Sequence, residues 1–149
     1  MAQTRRDVWP PETRHRDGHR WLSVPAGPRR GDGEIVTEIF VPYPKSGSKG
    51  FYHKVRERLA WDHAIVSVAT VVQSSGGVAR DTRVVLGGVA PIPWRAPKAE
   101  QFLHGKKIDE ETTQKAGELA LEGAKPLKDN VYKIAMAKSL IQRALLASV

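Results

Sequence analysis

Two stretches in the middle of the chain have the apolar patterns of β-strands. The stretch Ala64–Val72 is rich in β-branched residues and apolar on both faces at its centre. The stretch Arg80–Val89 again places successive apolar residues on opposite faces. Between them lies Ser-Ser-Gly-Gly at 74–77, where glycine accepts the positive φ of a tight turn. The pattern predicts two antiparallel strands joined as a hairpin.

A third strand is predicted upstream, at Glu34–Val41. Ile35 and Ile39 fall on one face of this segment, together with Val41. Pro42 ends the alternation, because proline cannot donate to a sheet ladder. All three predicted strands therefore precede the helical part of the chain.

Beyond residue 91 the apolar period becomes helical. Pro97 suits the first turn of one helix, and Asp109 is a suitable N-cap for the next. A last helix is predicted from about residue 130 to residue 147. Its core stripe consists of residues three or four apart: Val131, Ile134, Ala137, Ile141 and Leu145. Strands followed by helices favour an α+β fold, here an antiparallel three-stranded sheet followed by about three helices packed on one face.

Residues 1–33 differ in character from the rest of the chain. They are rich in proline and glycine and show no apolar periodicity, and they hold these arginines: Arg5, Arg6, Arg14, Arg16, Arg20, Arg29 and Arg30. Such a segment cannot recover its ordering entropy by itself. We therefore predict a basic arm or linker at 1–33 and a folded domain at 34–149.

The basic arm leaves two functional hypotheses open. The chain carries a formal net charge of +8, and its arginines are concentrated in the arm. A basic arm is able to grip nucleic acid or an acidic partner, with Trp9 and Trp21 stacking on bases. The arm of a purely structural interaction domain would instead dock on a partner protein.

Composition excludes several classes of chemistry. The chain has no cysteine, so it holds no disulfide, thiolate metal site, iron–sulfur ligand or cysteine nucleophile. No apolar run reaches the roughly 20 residues that span a bilayer. Arg5 and Arg6 are not followed by an apolar stretch, so they do not form a twin-arginine export signal. A cytoplasmic location is the simplest expectation.

Other candidate sites have simpler explanations. Gly87 and Gly88 lack the G-x-G-x-x-G spacing of a phosphate-binding loop, and close backbone packing explains them better. His15 and His19 have no obvious third ligand, so no metal site is predicted. No serine lies in a G-x-S-x-G context, so a hydrolase is not supported. We predict no catalytic residue in the chain.

The segment 83–91, Arg-Val-Val-Leu-Gly-Gly-Val-Ala-Pro, carries a family resemblance. It resembles the C-terminal domain of the FAD-carrying medium subunit of molybdenum hydroxylases, the family of carbon monoxide dehydrogenase and xanthine dehydrogenase. Three further segments match in the same order: 33–42, the lysine–arginine–aspartate segment 51–64, and the helical segment 99–105. The resemblance covers roughly residues 33–147.

The resemblance implies a role in electron transfer from iron–sulfur clusters to FAD. Its implied partners are upstream FAD-binding domains, a molybdopterin large subunit and an iron–sulfur small subunit, with neither a membrane nor nucleic acid among them. The residue implied to lie near the isoalloxazine is Lys54, where a cation favours the reduced anionic flavin. Arg58 and Asp62 are the other candidate cofactor-binding residues that the resemblance implies, and they are expected to form an ion pair that holds this segment in place.

The chain also departs from the family pattern. Tyr132 is followed by Lys133 where the family usually has arginine, and lysine lacks the planar fork that binds carboxylates bidentately. The glycine-rich loops that hold most of the FAD in the family do not occur here. We therefore expect a truncated or excised subunit that, alone, neither binds FAD tightly nor catalyses a reaction.

Overall fold

The computed structural model describes residues 43–149. It contains four strands and three helices, in the order β1 (Ser48–Val55), β2 (Val66–Ser75), β3 (Val78–Gly87), β4 (Trp94–Arg95), α1 (Pro97–Leu103), α2 (Glu110–Ala120) and α3 (Tyr132–Ala147). The strands form one antiparallel sheet in the order β1-β2-β3-β4. The α+β class is confirmed, but the predicted count of three strands is wrong.

The predicted central hairpin is present as β2 and β3. Ser75 pairs with Val78, so the connection is a two-residue turn. Its residues, Gly76 and Gly77, both have positive φ, of 59° and 77°. Turns of this kind match the twist of the flanking strands and favour glycine at both central positions.

The strand count was wrong because two short or polar strands went unrecognised. The strand β1 alternates correctly, but Lys49, His53 and Lys54 make it polar for a strand. The strand β4 is only two residues long and follows a proline-rich segment. The strand predicted at Glu34–Val41 lies outside the described residues, as does the predicted boundary between arm and domain.

Helices cover one face of this sheet. Paired residues of an antiparallel sheet point to the same face, and the buried face of β2 and β3 carries Val68 opposite Leu86 and Thr70 opposite Val84. The helices α1 and α3 pack on this face and complete the core. Thr70 Oγ1 lies 2.8 Å from the Oγ of Ser148, which joins the end of α3 to the sheet.

The helix start signals are confirmed. Pro97 occupies the first turn of α1, and Asp109 is the N-cap of α2, where its carboxylate accepts the N–H of Thr112 at 2.9 Å. The helix α2 packs mainly against α1 and α3. Its close approach to α3 depends on Gly117, whose added Cβ would lie 3.3 Å from the Lys138 carbonyl.

The predicted stripe of α3 is only partly right. Ala137, Ile141 and Leu145 are fully buried, but Val131 is 57% exposed and precedes the helix. Ile134 is half-buried. The stripe missed two residues that are buried: Leu140 and Ala144. The buried positions therefore begin at Ala137, six residues later than predicted.

Candidate functional site

The face of the sheet opposite the helices is open in the described part of the chain. Tyr52, on β1, pairs with Ala69, which pairs with Val85 of β3. Tyr52 is 62% exposed, and Ala69 is exposed as well. Lys54 lies two residues after Tyr52 and therefore on the same face. An exposed aromatic ring and a cation thus share one edge of an apolar sheet surface.

The ammonium group of Lys54 is fixed by the loop that joins β1 to β2. Its Nζ donates to the main-chain carbonyl oxygen of Asp62 over 2.5 Å. The side chain is half-buried, and no carboxylate pairs with it among residues 43–149. A lysine held at one point keeps two donors available for a further acceptor.

Asp62 accepts the hydrogen bonds that hold this loop together. Its Oδ2 accepts the backbone N–H groups of Glu57, at 3.1 Å, and Arg58, at 2.9 Å. These hydrogen bonds favour the charged carboxylate and so hold the pKa of Asp62 below its ordinary value. The bond from the Arg58 N–H makes the largest contribution. The Arg58 guanidinium lies 3.9 Å from Oδ1, so the ion pair itself is long.

The loop also holds an aromatic residue in an uncommon backbone conformation. Trp61 has a φ of 52° although it is not glycine, and its residue surface is 97% exposed. The Arg58 guanidinium donates to the Trp61 carbonyl over 3.0 Å and supports this conformation. The sequence carried no signal for it, because a positive φ at tryptophan follows from the surrounding hydrogen bonds.

The three residues singled out by the resemblance therefore lie together. Lys54, Arg58 and Asp62 are joined through one loop: the Asp62 carbonyl accepts from the Lys54 ammonium, and the Asp62 carboxylate accepts the backbone N–H of Arg58. Sequence reasoning missed Tyr52 and Trp61 as exposed parts of this surface. The signal for Tyr52 was available, because it lies at strand spacing from Lys54.

The glycine pair at the end of β3, Gly87 and Gly88, serves close packing, as predicted. A Cβ at Gly88 would lie 2.7 Å from the Ile65 carbonyl oxygen, and one at Gly87 would lie 2.5 Å from Ser67 Oγ. Lys133 donates to the Gly88 carbonyl over 3.1 Å. The lysine that replaces the family's usual arginine thus binds a backbone oxygen in this structure.

Residues 43–149 contain neither a candidate metal site nor a membrane-spanning helix. No group of three or more histidine, aspartate or glutamate side chains in this range has the arrangement of a metal site. None of the helices described is long and apolar enough to cross a membrane. His15 and His19 lie outside the described residues.

Comparisons with known proteins agree on one family. The family model described as the CO dehydrogenase flavoprotein C-terminal domain matches residues 51–148. The aldehyde oxidoreductase FAD-binding subunit of Escherichia coli (strain K12) is 34% identical over 113 residues, which cover 76% of this chain and 32% of that protein. The carbon monoxide dehydrogenase medium chain of Hydrogenophaga pseudoflava is 31% identical, over 78% of this chain and 42% of its own length.

Solved structures give the same result. Carbon monoxide dehydrogenase from Hydrogenophaga pseudoflava, in a form lacking the Mo-pyranopterin moiety, matches with a TM-score of 0.67 and 35% identity. The match covers 72% of this chain and 39% of that one. Quinoline 2-oxidoreductase from Pseudomonas putida 86 matches with a TM-score of 0.66 and 32% identity, over 72% of this chain and 38% of that one.

The fold and these matches define the C-terminal domain of a flavoprotein. The chain belongs to the CO dehydrogenase flavoprotein C-terminal domain family, found in the FAD-binding subunits of molybdenum hydroxylases. It spans 32% and 42% of the length of the two relatives compared above.

Proposed function

We propose that this chain is the C-terminal part of the FAD-binding subunit of a molybdenum hydroxylase that works in the cytoplasm. Membership of the family supports this function, as do relatives named as the FAD-binding subunit or medium chain of such enzymes. The match extends over most of the described domain. Its role is to complete the flavin site and to contact neighbouring subunits.

The proposed assembly includes more than this chain. Because the chain spans well under half of those relatives, most FAD contacts belong to domains preceding it in a complete subunit. The proposed partners are therefore these upstream domains, a molybdopterin large subunit and an iron–sulfur small subunit. We expect the isolated chain to be catalytically inert.

The observation that carries the proposal is the open sheet face with Tyr52 and Lys54 at its edge. Bound FAD accepts and passes on electrons, and the protein positions the ring and tunes its electrostatics. An aromatic ring and a fixed ammonium group suit the flat, partly polar edge of an isoalloxazine. Lys54 favours negative charge on the reduced ring by Coulomb attraction, and the hydrogen bond from Nζ to the Asp62 carbonyl limits its movement.

The described residues fit the ring of FAD rather than its pyrophosphate. A phosphate cradle needs backbone N–H groups that phosphate oxygens can approach. The space beside Gly88 is instead filled by the carbonyl oxygens of Ala64 and Ile65. Contacts with the pyrophosphate are therefore assigned to the upstream domains.

Replacing Lys54 by glutamine tests this role in the assembled enzyme. We expect the midpoint potential of the bound FAD to fall by about 30 mV or more, equivalent to about 1.4 kcal/mol for a two-electron couple. The fall follows from losing a positive charge beside the reduced ring. Lys49→Gln is the matched control, because Lys49 lies on the same strand but points to the opposite face.

The two variants separate flavin tuning from general charge loss. Equal potentials for Lys54→Gln and the parent enzyme, with full FAD content, would remove Lys54 from the flavin site. Equal shifts of the FAD midpoint potential in Lys54→Gln and Lys49→Gln would mean that the shift reflects the loss of net charge and not a position beside the flavin. Reduced FAD content in Lys54→Gln alone would still place Lys54 at the flavin.

The nucleic-acid alternative depends on the arm at residues 1–33, which lies outside the described residues. The relatives compared above are oxidoreductase subunits, and their names mention no nucleic acid. Salt-dependent retention on DNA, lost when residues 1–33 are removed, is the observation that would favour it.

A further inference from the structure

A small cavity lies between the outer edge of β3 and helix α1, apart from the Lys54 loop. Its volume is about 250 Å³. Arg80 and Arg83 of β3 and Arg95 of β4 contribute positive charge to its wall, and His104, which follows α1, also lines it. Three guanidinium groups around one cavity of this size make a site for an oxyanion chemically reasonable, because arginine binds such groups through several N–H donors.

A bulge in β3 sets the position of Arg80. Asp81 pairs with Gln73 of β2, and Ala79 pairs with the next residue, Ser74, so Arg80 has no partner across the ladder. Bulges of this type redirect side chains and occur often beside functional sites. The Arg80 carbonyl lies 2.7 Å from His104 Nδ1. A carbonyl only accepts, so Nδ1 carries the proton in this contact.

Arg95 is held rigidly at the cavity wall. Its Nε and Nη2 donate to the carboxylate of Glu100, with the shortest distance at 2.7 Å. The Glu100 side chain is only 6% exposed and also accepts the Val84 N–H at 3.0 Å. The buried carboxylate therefore fixes one edge of the guanidinium, and 38% of the Arg95 side chain stays exposed.

The other carboxylate at the cavity, that of Asp81, is also in ion pairs. Asp81 binds Lys45 through Oδ2 at 2.7 Å and Arg83 through Oδ1. The Lys45 ammonium is the main cause that lowers the pKa of Asp81, so this carboxylate stays ionised and paired. The three arginines of the cavity wall thus face two carboxylates, Asp81 and Glu100, which leaves a net positive charge around the cavity. Arg80 forms no ion pair with another described residue.

We propose that the cavity bounded by Arg80, Arg83, Arg95 and His104 binds a phosphate-type oxyanion. The net positive charge of the wall favours an anion, and the guanidinium groups offer the N–H donors that phosphate oxygens accept. The volume accommodates one such group and falls below the roughly 300 Å³ at which pockets for whole drug-sized ligands begin. The anion is either free inorganic phosphate or the terminal phosphate of a larger molecule. This site is independent of the proposed flavin role.

Titration of the full chain with inorganic phosphate tests the site. The readout is the nuclear magnetic resonance signals of His104 and of the backbone amides from residue 80 to residue 83, at constant ionic strength maintained with chloride. We expect saturable binding that Arg80→Gln weakens about tenfold, the effect of losing a charge-assisted hydrogen bond. Arg56→Gln is the control, because it removes the same charge from an exposed residue outside the cavity wall.

The outcomes distinguish specific binding in the cavity from a non-specific ionic effect of phosphate. Shifts that grow without saturating would overturn the proposal, as would binding that weakens equally in Arg80→Gln and Arg56→Gln. If Arg80→Gln does not fold, Arg83→Gln supplies the same comparison. A parallel titration with ADP identifies the source of the phosphate. Tighter binding of ADP with the same arginine dependence indicates a terminal phosphate group, and equal or weaker binding indicates the free anion.

Discussion

Replacing Arg95 by alanine is expected to lower the free energy of unfolding by about 2 to 3 kcal/mol. The change leaves the nearly buried carboxylate of Glu100 with only the Val84 N–H as a donor. Loss of one partner from a fully buried pair costs about 3 to 5 kcal/mol. Because the Arg95 side chain is 38% exposed, water replaces part of the lost interaction. Chemical denaturation measures the difference.

A second ion pair in the same region supplies the control. Lys98 lies at the start of α1 and binds Glu122 at 2.8 Å, but both side chains are largely exposed. We expect no measurable loss from Lys98→Ala, since exposed pairs contribute little. Arg95→Lys should fall between the two, because it keeps the charge without the bidentate fork. Equal stability of the Arg95 and Lys98 alanine variants would contradict a structural role for the buried pair.

Replacing Gly88 by alanine is expected to lower the free energy of unfolding by about 3 kcal/mol. Two causes act together. Gly88 has a φ of 74°, a conformation that strains an L-residue, and the new Cβ would lie 2.7 Å from a backbone oxygen of Ile65. Backbone cannot move aside as a flexible side chain can. The measurement is again equilibrium denaturation.

Gly77 separates these two causes. It has a similar φ of 77°, but nothing lies within 4 Å of an added Cβ. Gly77→Ala should therefore cost only the backbone strain, about 1 kcal/mol. The difference between the two variants measures the close packing of the turn after β3 on the segment before β2. Equal losses would mean that this packing relaxes without cost.

Much of the fold could be predicted because local signals agreed with it. Pro97 and Asp109 mark helix starts through backbone chemistry that does not depend on distant contacts. The strand β1 has the correct alternation, but polar residues on a strand at the sheet edge resemble those of a loop. Val131 was wrongly included in the buried stripe of α3, because periodicity shows which residues share a face of a helix and not which of them are covered by other elements.

The candidate site was less accessible to sequence reasoning. Lys54, Arg58 and Asp62 were found through family resemblance, and their proximity arises from hydrogen bonds to backbone atoms, which no side-chain pattern reveals. The cavity beside Arg80 depends on a bulge, a single unpaired residue that leaves the apolar alternation nearly unchanged. The Arg95–Glu100 pair is likewise formed by tertiary structure, between a two-residue strand and a helix.

We propose that this chain belongs to a flavin-containing assembly. The most direct measurement is the mass and cofactor content of the complex purified from its native source through this chain. We predict that FAD, molybdenum and iron accompany it, together with larger and smaller subunits. Recovery of the chain alone, colourless and without cofactor, would contradict the account.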